Sequence, residues 1–351
     1  MRYVGCDVHQ SDTKVAWVDD DTGEISRAFS VPTEKLGQRL REMAAAIPLQ
    51  IAIEVSTTGF FAAQVLRSLK LDAIVVNAFK AKRMLEGLRQ SKTDALDAMG
   101  LALLLAKGAL ANAAVWVPDM ATIELRELVR AREAASHAKI RTCNHIRNFL
   151  QRHGLNCPYT SLVGARAQQW LDQCQITLPA ALAMALASYR HSLAAQQQVL
   201  IELTRQLADF IAPLPAVRLL RTIPGVGVVL AATIAAEIGD IHRFASAARL
   251  RSYARLAPTV HQSGERSSTG PLNKHGNRLL SWALIQAAGQ FSRHQATKDC
   301  RPRKQFGRVV MRHGPNPARV SLARRLASIM FAMLRDGTPF DLARLMPATA
   351  P

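Results

Sequence analysis

The chain has 351 residues, 49% of them hydrophobic and 20% charged, and carries a formal charge of +19. This composition excludes a disordered tail, and the length favours two or three domains. No apolar run is long enough to span a bilayer, and the opening MRYVGCDVHQ lacks the basic and apolar regions of a signal peptide, so a cytoplasmic protein is expected.

The charge is unevenly placed. Residues 1–100 hold 13 Lys/Arg against 13 Asp/Glu, residues 101–241 hold 13 against 9, and residues 242–351 hold 19 against 4. The positive field therefore belongs to the last third, mostly as arginine, whose planar fork grips phosphate at two points. A solvated basic surface would not predict such lopsidedness, and a nucleic acid is the expected partner. Five scattered cysteines (Cys6, Cys143, Cys157, Cys174 and Cys300) show neither a C-x-x-C pair nor zinc spacing, and read as reduced core thiols.

In chain order, residues 3–9, 13–19 and 24–31 read as three successive strands. A helix over 33–46, a buried strand over 50–55, a helix near 60–70, a strand over 72–77 and a helix over 93–107 follow. This succession predicts a mixed α/β sheet of the ribonuclease H type. A doubly wound nucleotide fold would need a Gly-rich turn after the first strand, where Asp7-Val8-His9-Gln10 stands instead. Two long helices, 119–153 and 178–211, predict an antiparallel pair that spaces or dimerises domains. Residues 219–239 read as helix, Pro-Gly-x-Gly turn, helix. Further helices are expected at 245–254, 275–292 and 317–335, with a polar, glycine-bearing loop over 256–274. The expected division is 1–110, 111–215 and 216–351, the last a basic, mostly α-helical part with a helix-hairpin-helix-like element.

Asp7 lies inside the first strand and Glu54 at the end of the fourth, both among apolar residues, where a carboxylate is costly unless a cation offsets its desolvation. Asp94 and Asp97, three apart, share one helix face. In a ribonuclease H-like sheet the first and fourth strands are parallel neighbours crossed by the last helix, so the four acids are expected to converge. Two Mg²⁺ ions would settle their mutual repulsion and clamp a phosphodiester. Taken singly, Asp94 also reads as a helix cap and Asp97 as a solvated residue.

In the last third, Ile223-Pro224-Gly225-Val226-Gly227 matches a hairpin whose backbone N–H groups, at Gly225 and Gly227, hold a DNA phosphate. It fits a plain packing turn equally well, because the following helix is apolar nearly all round. Within 256–278, Ser263 precedes Gly264, with Arg266, Lys274 and Arg278 near to hold phosphate oxygens; a serine there can serve as a phosphoryl nucleophile. Ser267 and Ser268 compete with it on chemistry alone, and His261 is a candidate local base.

Taken in order, G-x-D in the first strand, Glu at the end of the fourth, K-T-D-x-x-D-A, I-P-G-V-G and S-G…K-x-G-N-R resemble one family. It is that of the insertion-sequence transposases with a RuvC-like DEDD domain and a serine-bearing C-terminal domain, relatives of the Piv-type DNA invertases. The resemblance covers roughly residues 3–340. It implies that Asp7, Glu54, Asp94 and Asp97 form the metal-binding tetrad and that Ser263 forms a transient phosphoserine link to DNA. It further implies a homodimer or homotetramer whose active sites join the tetrad of one subunit to the serine of another, a non-coding bridge RNA pairing with donor and target DNA, and a nucleoid-associated location. Two departures stand out. In Glu54-Val55-Ser56-Thr57-Thr58-Gly59 the glycine comes later than in the family's E-x-T-G, and Ser281 stands where an arginine is common. The alternative readings are a RuvC-like structure-specific endonuclease using metal-activated water, and a non-catalytic nucleic-acid-binding protein.

Overall fold

The computed structural model describes residues 1–86, 94–263, 266–272 and 275–346, which form two compact units, Met1–Val117 and Pro118–Pro351. The first unit runs β1 (Arg2–Val8), β2 (Asp12–Asp19), β3 (Phe29–Pro32), α1 (Leu36–Ala46), β4 (Leu49–Glu54), α2 (Thr57–Ser68), β5 (Ala73–Val76), α3 (Ala78–Glu86), α4 (Asp94–Ala106) and β6 (Ala114–Val115). Its six strands lie in the order β3-β2-β1-β4-β5-β6. β1 pairs antiparallel with β2 and parallel with β4, and β4 pairs parallel with β5, an arrangement compatible with the expected RuvC-like domain. The third strand is shorter than its apolar pattern suggests: Ile25 makes a lone bridge to Val18, and regular pairing resumes only at Phe29.

Strand alternation sorts the sheet into two faces. Val4, Cys6, Val8, Ile51 and Ile53 pack with Leu36, Leu40 and Leu66 of α1 and α2. On the other face Ala52 and Val76 pack with Leu101 and Leu104 of α4. Gly5 faces that helix, and a Cβ on it would stand 2.0 Å from the Ala98 carbonyl oxygen and 2.7 Å from the Ala102 nitrogen. Glycine is thus what lets α4 lie against β1. Gly5→Ala is expected to cost about 3 kcal/mol or more, as overpacking against backbone does. A melting temperature equal to that of the parent would contradict this contact.

The second unit begins with α5 (Met120–Arg152), α6 (Ala165–Thr177) and α7 (Ala180–Ile211). Leu125 and Val129 near the start of α5 share a cluster with Leu207 and Ile211 at the end of α7, while Ile146, Phe149 and Leu150 meet Leu186 and Leu193. The long pair is therefore antiparallel, and Asp119 caps α5 by accepting from the Thr122 N–H at 2.8 Å. α6 is an element that the sequence reading lacks.

Then come α8 (Pro215–Arg221), α9 (Val228–Ile238), α10 (Ala247–Tyr253), β7 (Pro258–Ser263), β8 (Arg266–Leu272), α11 (Arg278–Arg293), α12 (Arg301–His313) and α13 (Pro315–Asp336). α9 is buried at every residue from Ala231 to Ile238, which accounts for its lack of a polar face. The expected loop over 256–274 is instead a two-stranded antiparallel ribbon. Most residues of the two strands are polar, so no apolar alternation advertised them. Among the described residues no helix is long and apolar enough to cross a membrane, and all five cysteines are free thiols. Burial, reinforced by the neighbouring Asp7 charge, pushes the Cys6 thiol up to about 12, so it stays protonated in the core.

Candidate functional site

The acids of the first unit occupy one face of its sheet. Asp7 is two residues beyond Gly5 and Glu54 two beyond Ala52, so both share the α4 side by the two-residue period. The parallel register pairs Gly5 with Ala52 and Cys6 with Ile53, which makes Asp7 and Glu54 the next neighbours along the two strands. Asp94 opens α4, and Asp97 immediately precedes Ala98, the residue whose carbonyl meets Gly5. Asp97 is half-buried; the side chain of Asp94 lies outside what the structure describes. Among the described residues no three of these side chains come together closely enough to hold a metal ion. The structure thus brings Asp7 and Glu54 to neighbouring strand ends without closing a metal centre around them. Carboxylate oxygens are nonetheless the donor type that hard divalent cations take.

Local contacts fix these strand ends. Ser56 caps α2 by accepting from the Gly59 N–H at 2.8 Å, and the Thr58 hydroxyl donates to the Val8 carbonyl at 3.0 Å. A Cβ at position 59 would stand 2.4 Å from the Glu54 carbonyl oxygen, so the displaced glycine of this segment is needed where it is. His9, not singled out from sequence, places Nε2 3.1 Å from Asp7 Oδ2. Its spacing of two along an extended segment was the available clue. The Asp7 side chain retains 14% exposure, enough to meet a ligand.

In the second unit the β7–β8 ladder ends on the pair Ser263–Arg266. Positions 261, 263, 266 and 268 share one face of the ribbon by register, while 262 and 267 share the other. Ser268 thus shares a face with Ser263 and Ser267 does not. The side chains of Ser263 and Arg266 and the whole of Lys274 lie outside the described residues. Arg278 is the exposed first residue of α11.

The Pro-Gly-x-Gly turn divides its two glycines. Gly225 has φ +84°, and a Cβ there would meet the Gln290 and Phe291 backbone of α11 at 2.8–2.9 Å, so its reason is packing. Gly227 is exposed at the N-terminus of α9 with open space around it.

A polar cluster missed by sequence reasoning ties down the stems of the ribbon. Glu237 of α9 is 1% exposed. Its Oε2 accepts from Asn277 Nδ2 at 2.6 Å, and its Oε1 lies 3.4 Å from Arg130 Nε. Asn277 also donates to the Tyr253 hydroxyl at 3.2 Å and caps α11 by accepting from the Leu280 N–H. Arg126 and Arg243 donate to carbonyls at the end of α9, and burial lowers the Arg126 pKa, with Glu237 opposing it. Arg255, held at φ 57°, donates from Nε to the Gly276 carbonyl, joining the entering and leaving strands of the ribbon. Because a buried carboxylate stripped of its partners is costly and the reverse holds for those partners, Glu237→Ala should lose about 3 kcal/mol in denaturant unfolding. A loss under about 1 kcal/mol, the size of an exposed pair, would contradict this role.

An α/β sheet with acidic strand ends and a basic helical unit fit a DNA-processing enzyme. Residues 4–154 match the family model of a DEDD-type transposase domain, and residues 217–301 match that described as Transposase IS116/IS110/IS902 family. The chain belongs to the IS110/IS116/IS902 family of transposases, with the DEDD domain at its amino-terminal end. It is 29% identical to a protein of Sinorhizobium fredii named as a transposase, over 82% of this chain and 70% of that protein. It is 25% identical to the transposase for insertion sequence element IS1111A of Coxiella burnetii, over 70% and 67% of the two chains. To the pilin gene-inverting protein of Moraxella bovis it is 28% identical, over 72% and 69%.

Proposed function

We propose that this transposase cuts and rejoins duplex DNA through a phosphoserine intermediate formed by Ser263, with Asp7, Glu54, Asp94 and Asp97 as its metal-binding acids. The observation that carries the reading is the placement of Asp7 and Glu54 at adjacent positions on the sheet face covered by α4, the helix that begins with the other two acids. Bound there, Mg²⁺ would supply charge neutralisation and Lewis-acid polarisation at the scissile phosphodiester. The Ser263 hydroxyl loses its proton and its oxygen bonds to phosphorus. The ester bond to one deoxyribose oxygen breaks, and that oxygen leaves as a hydroxyl after taking up a proton. The hydroxyl of another DNA end then attacks the phosphoserine, releasing Ser263 and restoring a phosphodiester with no external energy source. Arg266, Lys274 and Arg278 hold phosphate oxygens, and Gly225 and Gly227 offer their backbone N–H groups to a neighbouring phosphate.

The family resemblance adds two parts to this proposal: sites shared between subunits of a homodimer or homotetramer, and a bridge RNA that selects the DNA. The antiparallel α5–α7 pair, by its length, is the element proposed to space or join the subunits. A relative named for inverting a pilin gene favours rejoining over simple cutting, because inversion needs both. The test supplies the full chain with Mg²⁺, element-end DNA and its guide RNA, and follows the products. Rejoined DNA from the parent, absent with Ser263→Ala, is expected. Free cut ends in equal yield from the parent and Ser263→Ala would assign the chain to the structure-specific endonucleases that use activated water.

A further inference from the structure

Between residues 300 and 334 the sequence has eight Lys/Arg and no Asp or Glu. α12 and α13 carry this stretch, and a cleft of about 520 Å³ opens beside them. Its apolar lining includes Phe306, Leu322 and Ile329, and its charged lining is Arg251, Arg324 and Arg325. Arg251 Nη1 donates to the Ser328 hydroxyl at 2.7 Å, which braces α10 against α13. Among the described residues no carboxylate is ion-paired with any of the three arginines. Arginines clustered without acidic partners repel one another, and an anion is the natural remedy. All of this lining except Arg251 lies beyond residue 301, where the family match ends.

From these observations we infer that the α12–α13 cleft binds an unpaired nucleotide of a nucleic-acid strand, its base against Phe306 and Ile329 and its phosphate on Arg251, Arg324 and Arg325. A base within a duplex stack cannot enter a cleft, whereas a splayed base offers its flat face to an aromatic ring and its phosphate to a guanidinium fork. The volume falls within the range of small-molecule sites. A bare arginine patch would hold any polyanion; the apolar side chains that share the cleft lining with these arginines, Phe306, Leu322 and Ile329, are what favour an unpaired base. The site stands whether or not Ser263 is the nucleophile.

The test measures binding of fluorescent probes by the full-length protein: a non-pairing RNA strand, the DNA strand of the same sequence, a DNA duplex, and the DNA strand with abasic sugars. Arg324→Gln/Arg325→Gln should weaken single-strand binding by at least about tenfold and flatten its salt dependence. Its effect on the duplex should not exceed that of Arg308→Gln/Arg312→Gln, which removes the same charge outside the cleft lining. The parent should also bind the abasic strand more weakly than the DNA strand, a comparison that needs no variant to fold. Tighter binding of RNA would identify a guide strand as the occupant, and tighter binding of DNA an unwound DNA strand. Equal losses for single strand and duplex, equal losses from the two double variants, or equal affinity for abasic and normal strands would overturn the inference.

Discussion

Asp7→Asn is expected to abolish strand cleavage while the first unit stays folded. Asparagine keeps the size of the side chain but removes the charge and one hard donor oxygen. Losing a metal ligand at a phosphoryl-transfer centre removes about 4 kcal/mol of transition-state stabilisation, on the order of 10³-fold in rate. Stability should move the other way or not at all, because Asp7 and Glu54 occupy neighbouring strand positions and their like charges repel in the free protein. The pair of measurements is a single-turnover cleavage rate and a thermal melt. Full cleavage by this variant would remove the acids from the chemistry, and a collapsed melting curve would make Asp7 a structural residue.

Ser263→Ala should be as severe for strand exchange, again on the order of 10³-fold or more, since a lost nucleophile has no substitute in a step that must conserve the ester bond. Ser267→Ala should leave exchange close to that of the parent, because position 267 shares the ribbon's other face. Ser268→Ala is the more demanding control, being on the same face and two positions from Arg266. Exchange rates for the three variants on one substrate rank the serines. A full rate with Ser263→Ala and a deep loss with Ser268→Ala would transfer the role.

The sequence carried the topology of the first unit because its strands bury one or both faces and so announce themselves. Val4, Cys6 and Val8 alternate with Gly5 and Asp7, and the parallel pairing of β1 with β4 followed from strand order. The acids were legible for the same reason: a carboxylate within an apolar strand is an anomaly that function explains. What escaped notice depends on tertiary contacts. Gly225 fitted a phosphate-binding glycine and a packing turn equally well, and only its positive φ and the α11 backbone against it show why a glycine must stand there. Glu237 passed unremarked in a helix that is otherwise apolar, because its partners, Asn277 and Arg130, arrive from 40 and 107 residues away in sequence. The ribbon carrying Ser263 was hidden because its sequence is mostly Thr, His, Gln, Ser and Pro, with too few apolar residues to give a hydrophobic period.

The most direct measurement is to stop the reaction with denaturant on a nicked suicide substrate, digest the protein and locate the DNA-linked peptide by mass spectrometry. The expected result is a phosphodiester to Ser263 that forms with the parent, is missing in Ser263→Ala and fails to accumulate in Asp7→Asn. Strand exchange that proceeds with no protein–DNA bond, or a bond on any other residue, would contradict it.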